Sequence, residues 1–486
     1  MSTQESRIKE VIIESNDKKR TADMTASLIE FHYYEDVFSP TITAKMVLVN
    51  ANQTIAPVND EGEVKGELMG VYNGLPIRGG ERVKITIEAN SSTNKNLEFN
   101  YEDTFLYVSS VSDIISNSQR ELFTLHLTSR AAITNETSRV GGRFDPGNSI
   151  STSVEKILKE KLGLSPQQIE VEKTTNKYGF IGNMRKPFTV LTWLASKSVP
   201  NVSGDATAGF LFYQTQRAYH FRSIDKLIMQ NPVAAYLYSE TVEAFDNEGN
   251  KVPNDFKILK YQTERNQNLI EKLKLGAYSS YRTFFNPLTF TFTDPQKGVF
   301  RHGDYKDKVN NLGDDFKLPK LSETTVRDLG DVPTRIFTSV LDVGTLHKTP
   351  KDFDARTVNA DQAKYQSQTV MRYNTLFTQI LKMTVPLNTN LIAGDVIKCS
   401  FPKVSEKDKS QVDDEQSGLY MIKELCHYYS TEHSYTSMKL VRDTYGNNPE
   451  AREEESSQFN EDGTRKTDSR SYTGGNYLDS GWGALF

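Results

Sequence analysis

Short runs of alternating apolar and polar positions dominate the first 130 residues. Val11-Ile12-Ile13, Ala44–Val49, Val83–Ile87, Phe105–Val111 and Leu122–Leu127 are rich in β-branched or aromatic residues and bounded by turn formers, which predicts strands. Asn16–Arg20 reads as a hairpin tip and Gly79-Gly80 as a second turn. The period then changes. Thr152 and Glu155 have the spacing of a capping box, and Val154, Ile157, Leu158 and Leu162 follow at helical intervals. Gly163 and Pro166 end that helix. A second helix is expected from Phe188 to about Ser196 and a third across Ala355–Tyr373. Strands return at Gly209–Tyr213, Ala218–Arg222, Leu376–Val385, Val396–Phe401, Leu419–Tyr428 and Tyr435–Val441. His302–Lys320 is polar and reads as a long surface loop.

Two distant regions share one pattern. Gly80-Glu81-Arg82-Val83-Lys84 resembles Gly394-Asp395-Val396-Ile397-Lys398, each a turn glycine, a carboxylate and a strand. Phe105-Leu106-Tyr107-Val108 resembles Gly418-Leu419-Tyr420-Met421. Leu106, Tyr107 and Leu127 then align without a gap to Leu419, Tyr420 and Leu440. Gly80 lies 26 residues before Leu106, and Gly394 lies 25 before Leu419. The expected fold class is α+β, mostly β: two similar antiparallel β-barrel domains with inserted α/β segments and a disordered C-terminal tail. The alternative is chance likeness of two hairpins. The boundaries expected are 1–150 for the first barrel, 151–225 and 226–340 for two mixed segments, the second with the long loop, 341–445 for the second barrel, and 446–486 for the tail.

Composition narrows the function classes. With 486 residues and 37% hydrophobic content, the chain can build several cores. A net charge of -5 argues against a dedicated nucleic-acid binder, whose affinity comes from concentrated Lys and Arg. Two cysteines, Cys399 and Cys426, make no disulfide framework and suit a reducing compartment. No apolar run approaches the ~20 residues of a spanning helix, and Met1–Glu10 lacks the apolar core of a secretion signal.

The sequence contains no phosphate loop, dinucleotide fingerprint, His-Glu-x-x-His or nucleophile elbow. No catalytic, cofactor-binding or metal-ligating residue is therefore assigned, and no cofactor is expected. Cys426, His427 and His433 invite a metal reading, but neighbours on a strand point to opposite faces. Glu35-Asp36 is too common a pair to imply glycosidase chemistry. Lys18-Lys19-Arg20 is read as a solvated tip, and Phe284, Phe285, Phe290 and Phe292 as core. The tail after Gly446 is polar and includes Glu453-Glu454-Glu455, yet the chain ends in Trp482-Gly483-Ala484-Leu485-Phe486. Trp482, Leu485 and Phe486 are expected to be a tethered anchor that docks on a neighbouring protein.

Several of these segments, in their order along the chain, resemble a family. Tyr34–Pro40 with the strand Ile42–Val49, Leu75–Glu81, Lys186-Pro187-Phe188, Gly209–Tyr213, Tyr219–Ile224, Leu391–Phe401, Gly418-Leu419-Tyr420 and Lys439–Asp443 are similar to central baseplate hubs of T-even-like contractile-tailed phages, the cyanophage type in particular. The likeness covers roughly residues 8–445. It does not extend to the tail, nor does it explain the 302–320 segment. It implies a non-enzymatic virion protein: a homotrimer whose paired barrels join the six-fold tail tube to the three-fold central spike. Implied partners are the spike, the tail tube and tube-initiator proteins, and baseplate wedge proteins. Genomic DNA would pass through the lumen without specific binding. The implied location is the virion tail baseplate, after assembly in the host cytoplasm. Competing readings are a tail-associated cell-wall hydrolase and a receptor-binding or spike/hub module of a phage-like secretion system.

Overall fold

The computed structural model describes residues 6–51, 55, 69–75, 77–89, 94–116, 120–201, 207–241, 244–245, 251–265, 268–287, 289–292, 298–305, 309–314, 318–340, 362–403 and 413–446. The chain begins with strands β1 (Arg7–Glu14), β2 (Thr21–Asp23), β3 (Leu28–Asp36), β4 (Thr43–Asn50), β5 (Arg82–Glu88), β6 (Leu97–Phe99), β7 (Leu106–Ser116) and β8 (Glu121–Ser129). In β4 the alternation is strict: Ala44, Met46 and Leu48 are buried while the residues between them are not. That period of two turns one face of the sheet toward the core. β1 and β2 form the expected hairpin, though Arg20 at its tip donates to the Gly74 carbonyl at 2.8 Å rather than standing free in solvent.

Helix α1 (Arg130–Thr137) leads into an α/β insertion with α2 (Ile150–Leu162), β9 (Ile169–Val171), α3 (Pro187–Ala195), β10 (Phe210–Gln214) and β11 (Tyr219–Ser223). The start of α2 corrects the capping-box reading. Ser149, not Thr152, is the N-cap, and its hydroxyl accepts from the Thr152 amide. Three extra residues at the N-terminus bring Ile150 into the core beside Val154, Ile157, Leu158 and Leu162. Gly163 closes the helix at φ 70°, a conformation a Cβ penalises.

Next come β12 (Ala235–Leu237), β13 (Lys260–Arg265), β14 (Ser279–Asn286), β15 (Val299–Arg301) and β16 (Arg335–Val340). The segment 302–320 departs from the expected surface loop over its described residues. His302, Val309 and Leu312 are buried, and the Leu312 amide donates to the Asp443 carboxylate at 2.9 Å. Helix α4 (Gln362–Thr375) precedes the final strands β17 (Gln379–Pro386), β18 (Val396–Ser400), β19 (Gly418–Ser430) and β20 (Ser434–Arg442). The first part of the expected third helix, 355–361, lies outside the described residues, as does the tail from 447 onward with Trp482, Leu485 and Phe486.

The architecture is mostly β, with helices in the inserted segments. A single 14-stranded sheet runs in the order β13-β17-β20-β19-β3-β4-β8-β7-β5-β1-β2, with β6 on β5 and β12 on β18, which itself pairs β19. Within it the order β3-β4-β8-β7-β5 recurs as β13-β17-β20-β19-β18. We refer to β1–β8 as the first β unit and to β13 with β17–β20 as the second.

The backbone bonds of the two units match atom for atom. Gly80 N donates to Val108 O at 2.7 Å and Val108 N to Glu81 O at 2.9 Å. Gly394 N donates to Ile422 O at 2.8 Å and Ile422 N to Asp395 O at 2.8 Å. Gly80 and Gly394 share a φ of +91° and +92°. These bonds move the repeat's register by one residue. Leu106 and Tyr107 correspond to Tyr420 and Met421, not to Leu419 and Tyr420, because their partners Val83 and Arg82 correspond to Ile397 and Val396. The spacing from each glycine then becomes equal, 106 − 80 = 26 and 420 − 394 = 26. Leu127 and Leu440 stay equivalent, facing Val108 and Ile422. Each unit also carries a bulge one residue further on, at Ser109 and Lys423.

Candidate functional site: the seam between the two β units

The units meet edge to edge. The far half of β19 leaves β18 behind and pairs with β3, from Glu424 opposite Asp36 to Ser430 opposite Glu30. Side chains on the buried face of this seam are polar as well as aromatic. Tyr33 and His427 stack with ring centroids 6.1 Å apart, and Tyr429 and Leu387 from the second unit join the first unit's core.

Glu35 sits near the Asp36 end of the seam, opposite Leu425, and is 2% exposed. Its Oε1 accepts from the Tyr33 hydroxyl at 2.8 Å and from the Gln216 amide at 2.6 Å. Its Oε2 accepts from the Ala393 amide at 2.8 Å. One carboxylate thus ties β3 to the β10–β11 hairpin and to the turn before Gly394. Burial pushes Glu35 up to about 7, while the three hydrogen bonds pull the other way. A carboxyl near neutrality suits proton transfer. Here both oxygens accept from groups of the fold, and the carboxyl organises the backbone around it.

His427 is fully buried, with Nδ1 3.0 Å from the Thr436 hydroxyl, and burial holds its pKa down to about 4. Cys426 is only half-buried, and burial raises its thiol to about 11. The two side chains take opposite faces of β19. Among the described residues no group of three or more His, Cys, Asp or Glu side chains could hold a metal ion. Asp36 faces outward and pairs with Lys423 at 3.0 Å.

A second buried node lies where α4 meets the end of β20. Arg372 Nη2 donates to Asp225 Oδ1 at 2.6 Å and to Asn310 O at 3.2 Å, and Nη1 is 3.5 Å from Asp443 Oδ2. Burial raises the Asp443 carboxyl, and the Arg372 guanidinium opposes that shift. The arginine brings together the insertion, the 302–320 segment and the last strand.

No protein-family model matches this chain, and no curated protein does. Solved structures do. The chain is similar to the 43 kDa tail protein of prophage MuSo2 from Shewanella oneidensis, at 7% identity and a TM-score of 0.47, over 90% of this chain and 98% of that one. It is also similar to a tail protein from Neisseria meningitidis MC58, at 10% identity and a TM-score of 0.46, over 90% and 96%. An E. coli component of the type VI secretion system gives 10% identity and a TM-score of 0.39, over 87% and 76%.

Sequence reasoning singled out the Glu35-Asp36 pair without assigning it a role, and did not see β3 as a strand. The available signal was the inward alternation Phe31, Tyr33, Glu35, Val37, in which a carboxylate stands at a core position. Arg372 and Asp443 carried no signal in the sequence, because 71 residues of chain (443 − 372) separate them.

Proposed function

We propose that this chain is a structural virion protein, the trimeric baseplate hub that links a six-fold tail tube to a three-fold central spike. The observation that supports this most is the duplication: two β units with one strand order and one pattern of turn bonds, joined in one sheet. Three copies would present six similar units around an axis, which is what an adapter between three-fold and six-fold partners requires. The ordered resemblance of segments along residues 8–445 to hub proteins supports the same reading. Its partners would be itself, the spike, the tail tube and tube initiator, and the wedge proteins. DNA would pass through the central channel without specific binding. Its place is the tail baseplate, after assembly in the host cytoplasm.

Mass determination of the purified chain, with and without co-expressed spike, tests the proposal. A trimer in either sample is the expected result. A stable monomer at high concentration, unchanged by spike or tube partners, would overturn it. Purified chain is expected to leave peptidoglycan intact; cleavage would favour the hydrolase reading. Tail tube and wedge genes beside this one separate a phage hub from a secretion-system module.

The tail after Gly446 is proposed to be a tether whose Trp482, Leu485 and Phe486 dock on a neighbouring subunit, the spike or a wedge protein. Burial of one such side chain contributes roughly 1.5–3 kcal/mol before ordering costs. Deleting residues 447–486 should leave the β units folded and weaken assembly by tenfold or more, on the order of 1.4 kcal/mol. Unchanged assembly of the truncated chain would remove the anchor from the proposal.

A further inference from the structure

The internal seam is a template for a contact between copies. In the second unit, β19 pairs β18 only up to Met421 and then pairs β3 through Ser430. In the first unit, β7 pairs β5 only at Leu106 and Tyr107. Beyond that point, among the described residues, the same edge of β7 carries no strand. The equivalent of β3 is β13, which pairs β17 on one side and, among the described residues, no strand on the other. The repeat therefore leaves one copy of each seam partner open, at opposite ends of the duplicated array.

From this we infer that β7 of one copy pairs antiparallel with β13 of the next, repeating the β19–β3 seam. The inference rests on the ring-forming reading above and adds its edges and register. The equivalences fix that register. Cys426 faces Tyr34 and Tyr428 faces His32 in the seam. Their counterparts are Ser112 with Arg265 and Ile115 with Gln262, since Ser112 and Ile115 face Thr124 and Leu122 as Cys426 and Tyr428 face Ser437 and Tyr435. On the other strand, Arg265 and Gln262 face Ile380 and Lys382 as Tyr34 and His32 face Thr43 and Lys45.

An irregularity in each edge supports the match. Relative to β8, β7 has one extra residue between Ser112 and Ile115. Relative to β17, β13 has one extra residue between Thr263 and Arg265. Neither β19 nor β3 has such an insertion at this level. A single insertion would break pairing across the contact. Two at the same height cancel, and the register runs through: Ser112 on Arg265, Asp113 on Glu264, Ile114 on Thr263, Ile115 on Gln262, Ser116 on Tyr261. The edge of β7 also leaves Ile114 46% and Ile115 67% exposed, an aggregation-prone arrangement for a strand that stays open. Because the two edges differ, the contact is head to tail and closes as a ring when its rotation divides a full turn.

Cysteine pairing in the full chain tests this. In the seam the rings of His32 and Tyr428, equivalents of Gln262 and Ile115, touch at 4.8 Å between centroids. The double variant Ile115→Cys, Gln262→Cys should, on mild oxidation, give covalent multimers on a non-reducing denaturing gel. Ile115→Cys with Lys260→Cys, two positions along the same face, should give about tenfold less. Equal or greater yield from the second pair would overturn the register. An assembled chain, by mass, with no cross-link from the first pair would overturn the contact and leave the hub reading standing. A chain monomeric alone and with spike, and uncross-linked, would overturn both. Ile115→Lys should raise the concentration for half-assembly about tenfold, whereas Val326→Lys, 96% exposed elsewhere, should not move it. Equal effects of the two would also overturn the contact.

Discussion

The two β units share a strand order but finish differently. In the first, β8 ends at Ser129, whose hydroxyl caps α1 by accepting from Ala132 at 3.4 Å and lies 2.9 Å from the Tyr219 hydroxyl. In the second, the equivalent position is Arg442, fully buried at the end of β20. Its Nε donates to Gln379 Oε1 at 2.7 Å, its Nη1 to Ser417 O at 2.8 Å and Gly446 O at 3.1 Å, and its guanidinium lies over the Tyr420 ring. One strand end continues into inserted structure, and the other is clamped shut. A duplicated fold keeps its ladder where the units must resemble one another and varies the strand ends, where the chain has to be routed.

Substitution at the two strand ends should show the largest asymmetry. Arg442→Ala leaves several buried carbonyls without their donor and should cost about 3–5 kcal/mol in denaturant unfolding. Ser129→Ala loses a helix cap and should cost about 1 kcal/mol. Comparable costs would mean that the clamp holds nothing the cap does not.

At the seam, Glu35→Ala leaves two buried amides unsatisfied and should cost about 2–5 kcal/mol. The turn glycines sharpen the comparison further. Both have positive φ, so an alanine is strained by about 1–3 kcal/mol at either. At Gly394 the added methyl would also stand 2.5 Å from the Tyr213 hydroxyl, whereas at Gly80 its nearest neighbour, the Asn16 side chain, is 3.1 Å away. Gly394→Ala should therefore exceed Gly80→Ala.

The seam's titrations oppose each other. Glu35 is raised in the fold from 4.5 to about 7, so the folded state holds the extra proton and this group's contribution falls as pH rises through that interval. His427 is lowered from 6.5 to about 4, so its contribution rises with pH between those values. Wild-type stability should change little between pH 5 and 6 from this pair, and Glu35→Gln should expose a rising slope in pH-dependent unfolding. The smallest effect is expected at the bulges. Lys423→Ser, which copies Ser109, removes a partly exposed ion pair with Asp36 and should cost under about 1 kcal/mol.

What could be read beforehand follows from where apolar residues stand. Strands such as β4 and β8 announce themselves by alternation, and the repeat by its glycine and carboxylate. β3 was hidden because Glu35 takes an inward place that pattern reading reserves for apolar side chains. β13, Lys260–Arg265, is an edge with Tyr261 as its one apolar residue, so burial left little imprint on it. The register of the repeat slipped by one because the shared Leu-Tyr letters outweighed a spacing difference that the ladder bonds resolve. The fusion of both units into one sheet had no local signature at all, since Glu35 faces Leu425 across 390 positions of chain (425 − 35).

That distance has a consequence for synthesis. During translation the first unit emerges long before the strand that will cover its β3 edge, and before Leu387 and Tyr429, which complete its core. Domains generally fold N-terminal first on the ribosome, at ~5–20 residues per second. The nascent first unit, complete at Ser129, would therefore wait for the 301 residues to Ser430 (430 − 129), on the order of a quarter of a minute to a minute at those speeds, with an unpaired strand and an unfinished core. During that interval a second nascent chain on the same message offers the same seam partner in trans, and the loop that must close to favour the proper one is nearly the whole polypeptide. Exchange of the C-terminal unit between neighbouring chains is thus the misfolding route to look for when chains are crowded on a message, and a lower initiation rate, which spaces them out, should raise the yield of correctly paired product.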